Sequence, residues 1–291
     1  MILDIWTILN PLLRTVVYIL VLATIGSILF HFHFNKFLDD EIAVYSKNLI
    51  KKFAIIGFIA GFFVFLSVAG NLGGDLFSIV DLSLLKLSFE TLSGKSAILL
   101  ITGFFLITIS AFFENIISVF SKSFGILIIL TSFTIMGHSN LKGFSTQILV
   151  IIHLLCISFW LGSFLPLRQM CINKKFSSLI IISEKFGAYA IFYISILIIA
   201  GIIFSYILVG DINALLSTTY GNVLLLKLFF VSVILFLGAL NKFRIVPYIK
   251  TNHNDGAIKL KTSIRIEMMV ALLILFFTSI LTTSLPTPVG V

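Results

Sequence analysis

Long apolar runs separated by short polar segments set the pattern of this chain. They fall at about Leu12–Phe30, Phe53–Gly70, Ser96–Phe113, Val119–Met136, Ile148–Leu167, Phe186–Val209, Asn222–Leu240 and Ile266–Ser284. A helix needs roughly 20 mostly apolar residues to cross a bilayer, and each run approaches that length. The runs are continuous rather than alternating, which argues against an outer-membrane barrel. The pattern therefore predicts an all-α membrane protein, a bundle of eight transmembrane helices in a single polytopic domain over residues 1–291. The fourth run is the least regular, because it is strongly apolar only from Phe124 and has Lys122 near its start. A lysine at a helix end can carry its charge to the interface on its aliphatic stem. No connection exceeds about 25 residues, too short for a separate folded module.

Composition agrees with the pattern. Of the 291 residues, 59% are hydrophobic and only 11% charged, whereas a soluble chain carries about a quarter charged. The net charge of +8 would raise nucleic acid as a partner in a soluble protein. Here the basic residues follow the spans instead. With the N-terminus outside, fifteen of the twenty lysines and arginines fall on inner loops. Arg14, Lys86, Lys95 and Lys142 stay outside, and Lys227 lies within a span. The positive-inside rule then places both termini outside, with the lipid bilayer as the protein's surroundings. The first residues carry Asp4 and Pro11 and no basic cluster, unlike a cleaved signal peptide. Cys156 in an apolar run and Cys171 in a basic loop make no disulfide framework.

Short echoes recur along the chain. Thr91-Leu-Ser-Gly94 opens the third run and Thr218-Thr-Tyr-Gly221 the seventh. Ile25-Gly26-Ser27 in the first run matches Leu161-Gly162-Ser163 in the fifth. Two four-helix halves in the same orientation would produce such echoes.

Chemistry concentrates between Met136 and Leu167. His138 follows Gly137 at the outer end of the fourth run, and His153 lies about five residues into the fifth. Cys156 and Trp160 follow His153 at i+3 and i+7, on one helix face. An ionisable group at membrane depth is costly unless it faces the bundle interior. Imidazole with thiolate suits Cu(I), and imidazole alone also suits haem iron or zinc. The plainer alternatives are a neutral histidine bonded to a neighbouring helix and a cysteine filling space. Met136 is the weaker addition, pointing away from His138 on a regular helix. His31 and His33 read as an interfacial pair at the inner end of the first run. Glu114 and Glu267 likewise read as interfacial, at inner helix ends, and His253 reads as solvated. Lys227, about six residues into the seventh run, is either a snorkelling lysine or a buried cation needing a partner. No phosphate loop, nucleophile elbow, His-Glu-x-x-His or Cys-x-x-Cys is present, so nothing favours an enzyme.

The second half resembles the CopD family, the copper resistance protein D membrane proteins. The resemblance runs in order through Gly137-His138-Ser139, His153 with Trp160-Leu161-Gly162, and Leu165-Pro166-Leu167. It continues through Thr218-Thr-Tyr-Gly221, Leu224-Leu-Leu-Lys227, Gly238-Ala-Leu-Asn241-Lys-Phe-Arg244 and Arg265-Ile-Glu267, and is strongest over residues 136–286. One departure lies in the first run, where relatives carry a histidine and this chain has Val17 and Tyr18. The resemblance implies an eight-helix inner-membrane protein that takes copper up from the periplasmic side, beside a periplasmic CopC-like copper-binding protein. His138 and His153 are the expected copper ligands, with Met136 and Cys156 as additions. Two other readings remain open: a b-type cytochrome with the histidines on haem, and a non-transporting accessory of another membrane complex.

Overall fold

The computed structural model describes residues 5–113, 115–135, 143–286 and 288. The expected runs form helices. These are α1 (Trp6–Phe34), α2 (Asp40–Gly73), the short α3 (Leu82–Glu90), α4 (Leu92–Ser110), α5 (Ile116–Ser132) and α6 (Phe144–Gly162). They continue as α7 (Phe164–Ile172), α8 (Phe176–Val209), the short α9 (Ile212–Ser217), α10 (Thr219–Leu240), α11 (Val246–Thr251) and α12 (His253–Thr283). A π-type turn, Asn241–Ile245, joins α10 to α11. Among the described residues, seven helical stretches are long and apolar enough to cross a membrane; α6 with α7 and α10 with α11 each count as one. The expected fourth span is the shorter α5, of 17 residues. It stops at Ser132, where the Phe133 and Thr134 amides bond back three residues, to the Leu130 and Thr131 carbonyls.

Two apolar cores hold the bundle. One packs α1, α2, α4, α5 and α6 around Val21, Ile25, Phe104 and Ile129. The other packs the far end of α1 with α6, α7, α8 and α12 around Phe30, Phe159, Met170 and Ile264. Large apolar side chains cover the outside instead, among them Phe229, Phe236, Phe192 and Phe243. That is the arrangement of a lipid-solvated molecule, in which close backbone approach replaces hydrophobic collapse. Gly26 on α1 meets Gly162 on α6 in this way. A Cβ at Gly162 would sit 2.2 Å from the Gly26 Cα. Gly103 and Gly125 do the same between α4 and α5, where Ser96 Oγ also donates to the Ser132 carbonyl at 2.6 Å.

The echoes have structural counterparts. Thr91 and Thr218 each cap a long helix, accepting from the amides of Gly94 and Gly221 at 3.0 Å. Each follows a short helix, α3 or α9, and each glycine presses on a carbonyl of that helix or its end, Ser88 or Leu215. The other two echoed triplets meet each other, at Gly26 and Gly162.

The basic loops gather at one end. There Lys175 pairs with Glu41, Lys250 pairs with Glu184, and Lys185 lies over the Phe37 ring. At the opposite end Trp6 donates to the Asp75 carbonyl at 3.3 Å, and Asn10 bonds to Asn71. Asp75 accepts from the Ser78 amide and hydroxyl, which holds its carboxyl below the usual carboxylate range.

Candidate functional site

The helix carrying His153 begins at Phe144, four residues earlier than the hydropathy predicts. His153 therefore lies nine residues in, roughly 13 Å along the axis rather than 7–8 Å. The 3.6-residue period then fixes one face. His153 meets α8 at Gly201, where an added Cβ would sit 3.6 Å from the imidazole Cε1. Cys156, 5% exposed, lies a turn further along, close to Tyr193 of the same helix. Trp160 comes next, packed against Gly238 of α10 and close to Glu267 of α12. The shared face read from the spacing is thus present, and it points into the bundle between α8, α10 and α12.

His153 has a buried Nδ1 with no hydrogen-bond partner. Buried ring nitrogens are normally satisfied, and among the described residues this one is not. Lys227 of α10 is close enough to act on the ring electrostatically. It is half-buried and has no ion pair among the described residues; of the partners a buried cation could take, a carboxylate, a carbonyl or a ligand anion, the first is not found there. A lysine charge beside His153 opposes a cation there. Lys227→Met is accordingly expected to tighten metal binding at His153 several-fold, read by competition against a copper chelator. Unchanged or weaker binding would return Lys227 to a purely structural role.

Met136 and His138 lie outside the described residues. Among the described residues no group of three histidine, cysteine or acidic side chains gathers as a metal cluster. At the first-helix position of the departure, Val17 and Tyr18 are both buried, and Tyr18 stacks on Phe133 with centroids 5.5 Å apart. Arg14 lies over that same Phe133 ring at 4.7 Å. His33 and His253 each have partners within the fold. His33 is not simply interfacial: its Nδ1 bonds to the Leu29 carbonyl, and its ring sits among Phe159, Tyr189 and Tyr193. His253 is exposed as expected, but it is held to the Ile249 carbonyl and stacked on Phe176.

Glu267 departs most from the sequence reading. It is not interfacial but 2% exposed, and it accepts a short hydrogen bond from the Asn241 amide. Ser263 and Trp160 lie close to it as well. The π-type turn at Asn241–Ile245 turns Asn241 inward to reach it; such wide turns recur at functional sites. Glu114 is outside the described residues. Glu267 and Trp160 line a cavity of about 270 Å³ between α8 and α10.

A family model described as Copper resistance protein D (CopD) matches residues 181–281. That stretch contains most of α8 and all of α10, and with them Lys227, Asn241 and Glu267; His153 lies before it. No curated protein and no solved structure matches the chain.

Proposed function

We propose that this chain, a CopD-family copper-resistance membrane protein, takes up copper from the outer side of the cytoplasmic membrane as one polytopic domain. Eight spans, the positive-inside orientation and a periplasmic CopC-like donor belong to the same reading. The observation that carries it is the unpartnered, buried Nδ1 of His153, one turn from Cys156 on an inward face. Imidazole nitrogen and sulfur are the donors that hold Cu(I). His138, and with it Met136, would complete the site from the segment before α6. Two imidazoles without a closed ligand set make a labile site, which suits transfer better than storage.

The test is metal analysis and an absorption spectrum of the purified protein after anaerobic loading with Cu(I). Wild type is expected to retain copper and His153→Ala to lose it. Equal copper in both proteins would overturn the site. A strong Soret band in protein as purified would support a haem cytochrome instead.

The orientation is tested separately. A single cysteine at Ser139 is expected to react with an impermeant thiol reagent applied from outside, whereas one at Asn252 is expected not to. Labelling only at Asn252 reverses the topology. The native Cys156 and Cys171 are both buried and give a low background.

A further inference from the structure

We propose that the cavity around Glu267 binds a small hard cation, with sodium as the probe, through oxygens of Glu267, Asn241 and Ser183. The cavity lies between α8 and α10, and Trp160, Phe164, Ile264 and Glu267 also line it. Most of its lining is apolar, so its few polar atoms decide what it can hold.

Glu267 is the first of these atoms. A buried carboxylate is costly without an opposite charge, and hydrogen bonds offset only part of that cost. Asn241 supplies a hydrogen bond, and Ser263 and Trp160 lie close by. A carboxylate has about four lone-pair sites, so some stay open. The only basic side chain on the cavity wall is Lys242, and its ammonium donates to the Gly187 carbonyl at 2.8 Å. No ion pair joins it to Glu267 among the described residues. Lys242 is thus engaged with a carbonyl, and among the described residues Glu267 has no direct ion pair.

Two further oxygens lack partners. The carboxylate accepts only, so Asn241 must turn its N–H to Glu267, leaving its Oδ1 free. That Oδ1 is buried and has no hydrogen-bond partner. Ser183 of α8 also lines the cavity, at 6% exposure, and its buried Oγ is unpartnered too. A carboxylate, an amide carbonyl and a hydroxyl are a hard oxygen set, which suits sodium and not Cu(I). The cavity offers no thiol or imidazole, so it is not a second copper station. The inference is independent of the copper reading, and its test contains no copper.

Trp160 lines the cavity with Glu267 and reports on the site. The experiment uses the full-length protein in detergent, in a Trp6→Phe background that leaves Trp160 as the single tryptophan. Sodium chloride is titrated against choline chloride at equal ionic strength and fixed pH, following Trp160 emission and thermal stability. Sodium is expected to shift the emission and raise the Tm, saturably, where choline does neither. Glu267→Gln is expected to weaken the response on the order of ten-fold, the loss of one charged oxygen contact. Ser183→Ala should weaken it roughly three-fold, as for a neutral contact. If Glu267→Gln fails to fold, Ser183→Ala and Asn241→Ala carry the test. Equal responses to sodium and choline in wild type overturn the proposal. So does a full sodium response in the variants, and so does an emission change that follows pH alone, which would make Glu267 a proton site.

Discussion

Gly162→Ala is expected to cost at least about 3 kcal/mol of stability, and with it most of the yield of folded protein. At this position α1 and α6 touch backbone to backbone. The added Cβ would lie 2.2 Å from the Gly26 Cα and 2.3 Å from its carbonyl carbon. Neither atom is the free end of a side chain, so relief requires the two helices to move apart. That movement opens the apolar core at Ile25, Phe30 and Phe159, all fully buried. It also displaces the face of α6 that carries His153 and Cys156. Gly26→Ala should behave alike, because its Cβ would meet the Ser158 carbonyl at 2.1 Å. Gly201→Ala is the control: its Cβ would stand 3.6 Å from His153, an ordinary contact. Thermal unfolding of the three purified variants, with yield per cell, decides between close packing and a generic effect of losing glycine. A Gly162→Ala protein as stable as Gly201→Ala would contradict the packing account.

In copper binding, His138→Ala and His153→Ala are each expected to lower affinity by at least about ten-fold, and the double variant to lose little more. Two ligands of one ion behave as a unit, since removing either leaves a site that no longer holds the metal. The geometry makes this a demanding prediction. His153 lies about 13 Å inside the start of α6, so the segment carrying His138 must reach down to it. Gly137 supplies backbone freedom for such a turn. Losses that simply add would show two separate weak sites, and the shared-ion model would fail. The measurement is a chelator competition on all four proteins at one protein concentration.

Much of the architecture is legible in the linear pattern. The apolar runs mark the long helices, and the Thr-x-x-Gly echoes mark two helix starts capped by Thr91 and Thr218. The i, i+3, i+7 spacing places His153, Cys156 and Trp160 on one face without knowledge of what they face. Helix ends are read less well. Phe144 and Gln147 look like loop in a hydropathy profile, yet they belong to the first turn of α6. Glu267 was not legible at all. It follows Arg265 at the start of an apolar run, which in one dimension is an interfacial carboxylate. Its burial depends on Asn241, turned in by a π-type turn, and on Trp160, more than a hundred residues away in sequence. No local pattern encodes such a convergence. Ser183 escapes for the same reason, as one serine among several on α8.

The unequal helix lengths shape the membrane as well as the protein. Helices α4 and α5 have 19 and 17 residues, about 28 and 25 Å at 1.5 Å per residue. Helices α2 and α8 have 34 each, about 51 Å, and carry their surplus beyond the hydrocarbon. With α5 embedded, a slab of about 30 Å must thin along that flank, at fractions of a kcal/mol per Å. The pinch falls beside α4 and α5. An ion arriving there from water has less oil to cross, and the lipids beside it are under compression. Acyl-chain length thereby becomes a control on this flank of the protein, acting through bilayer mechanics rather than through any ligand.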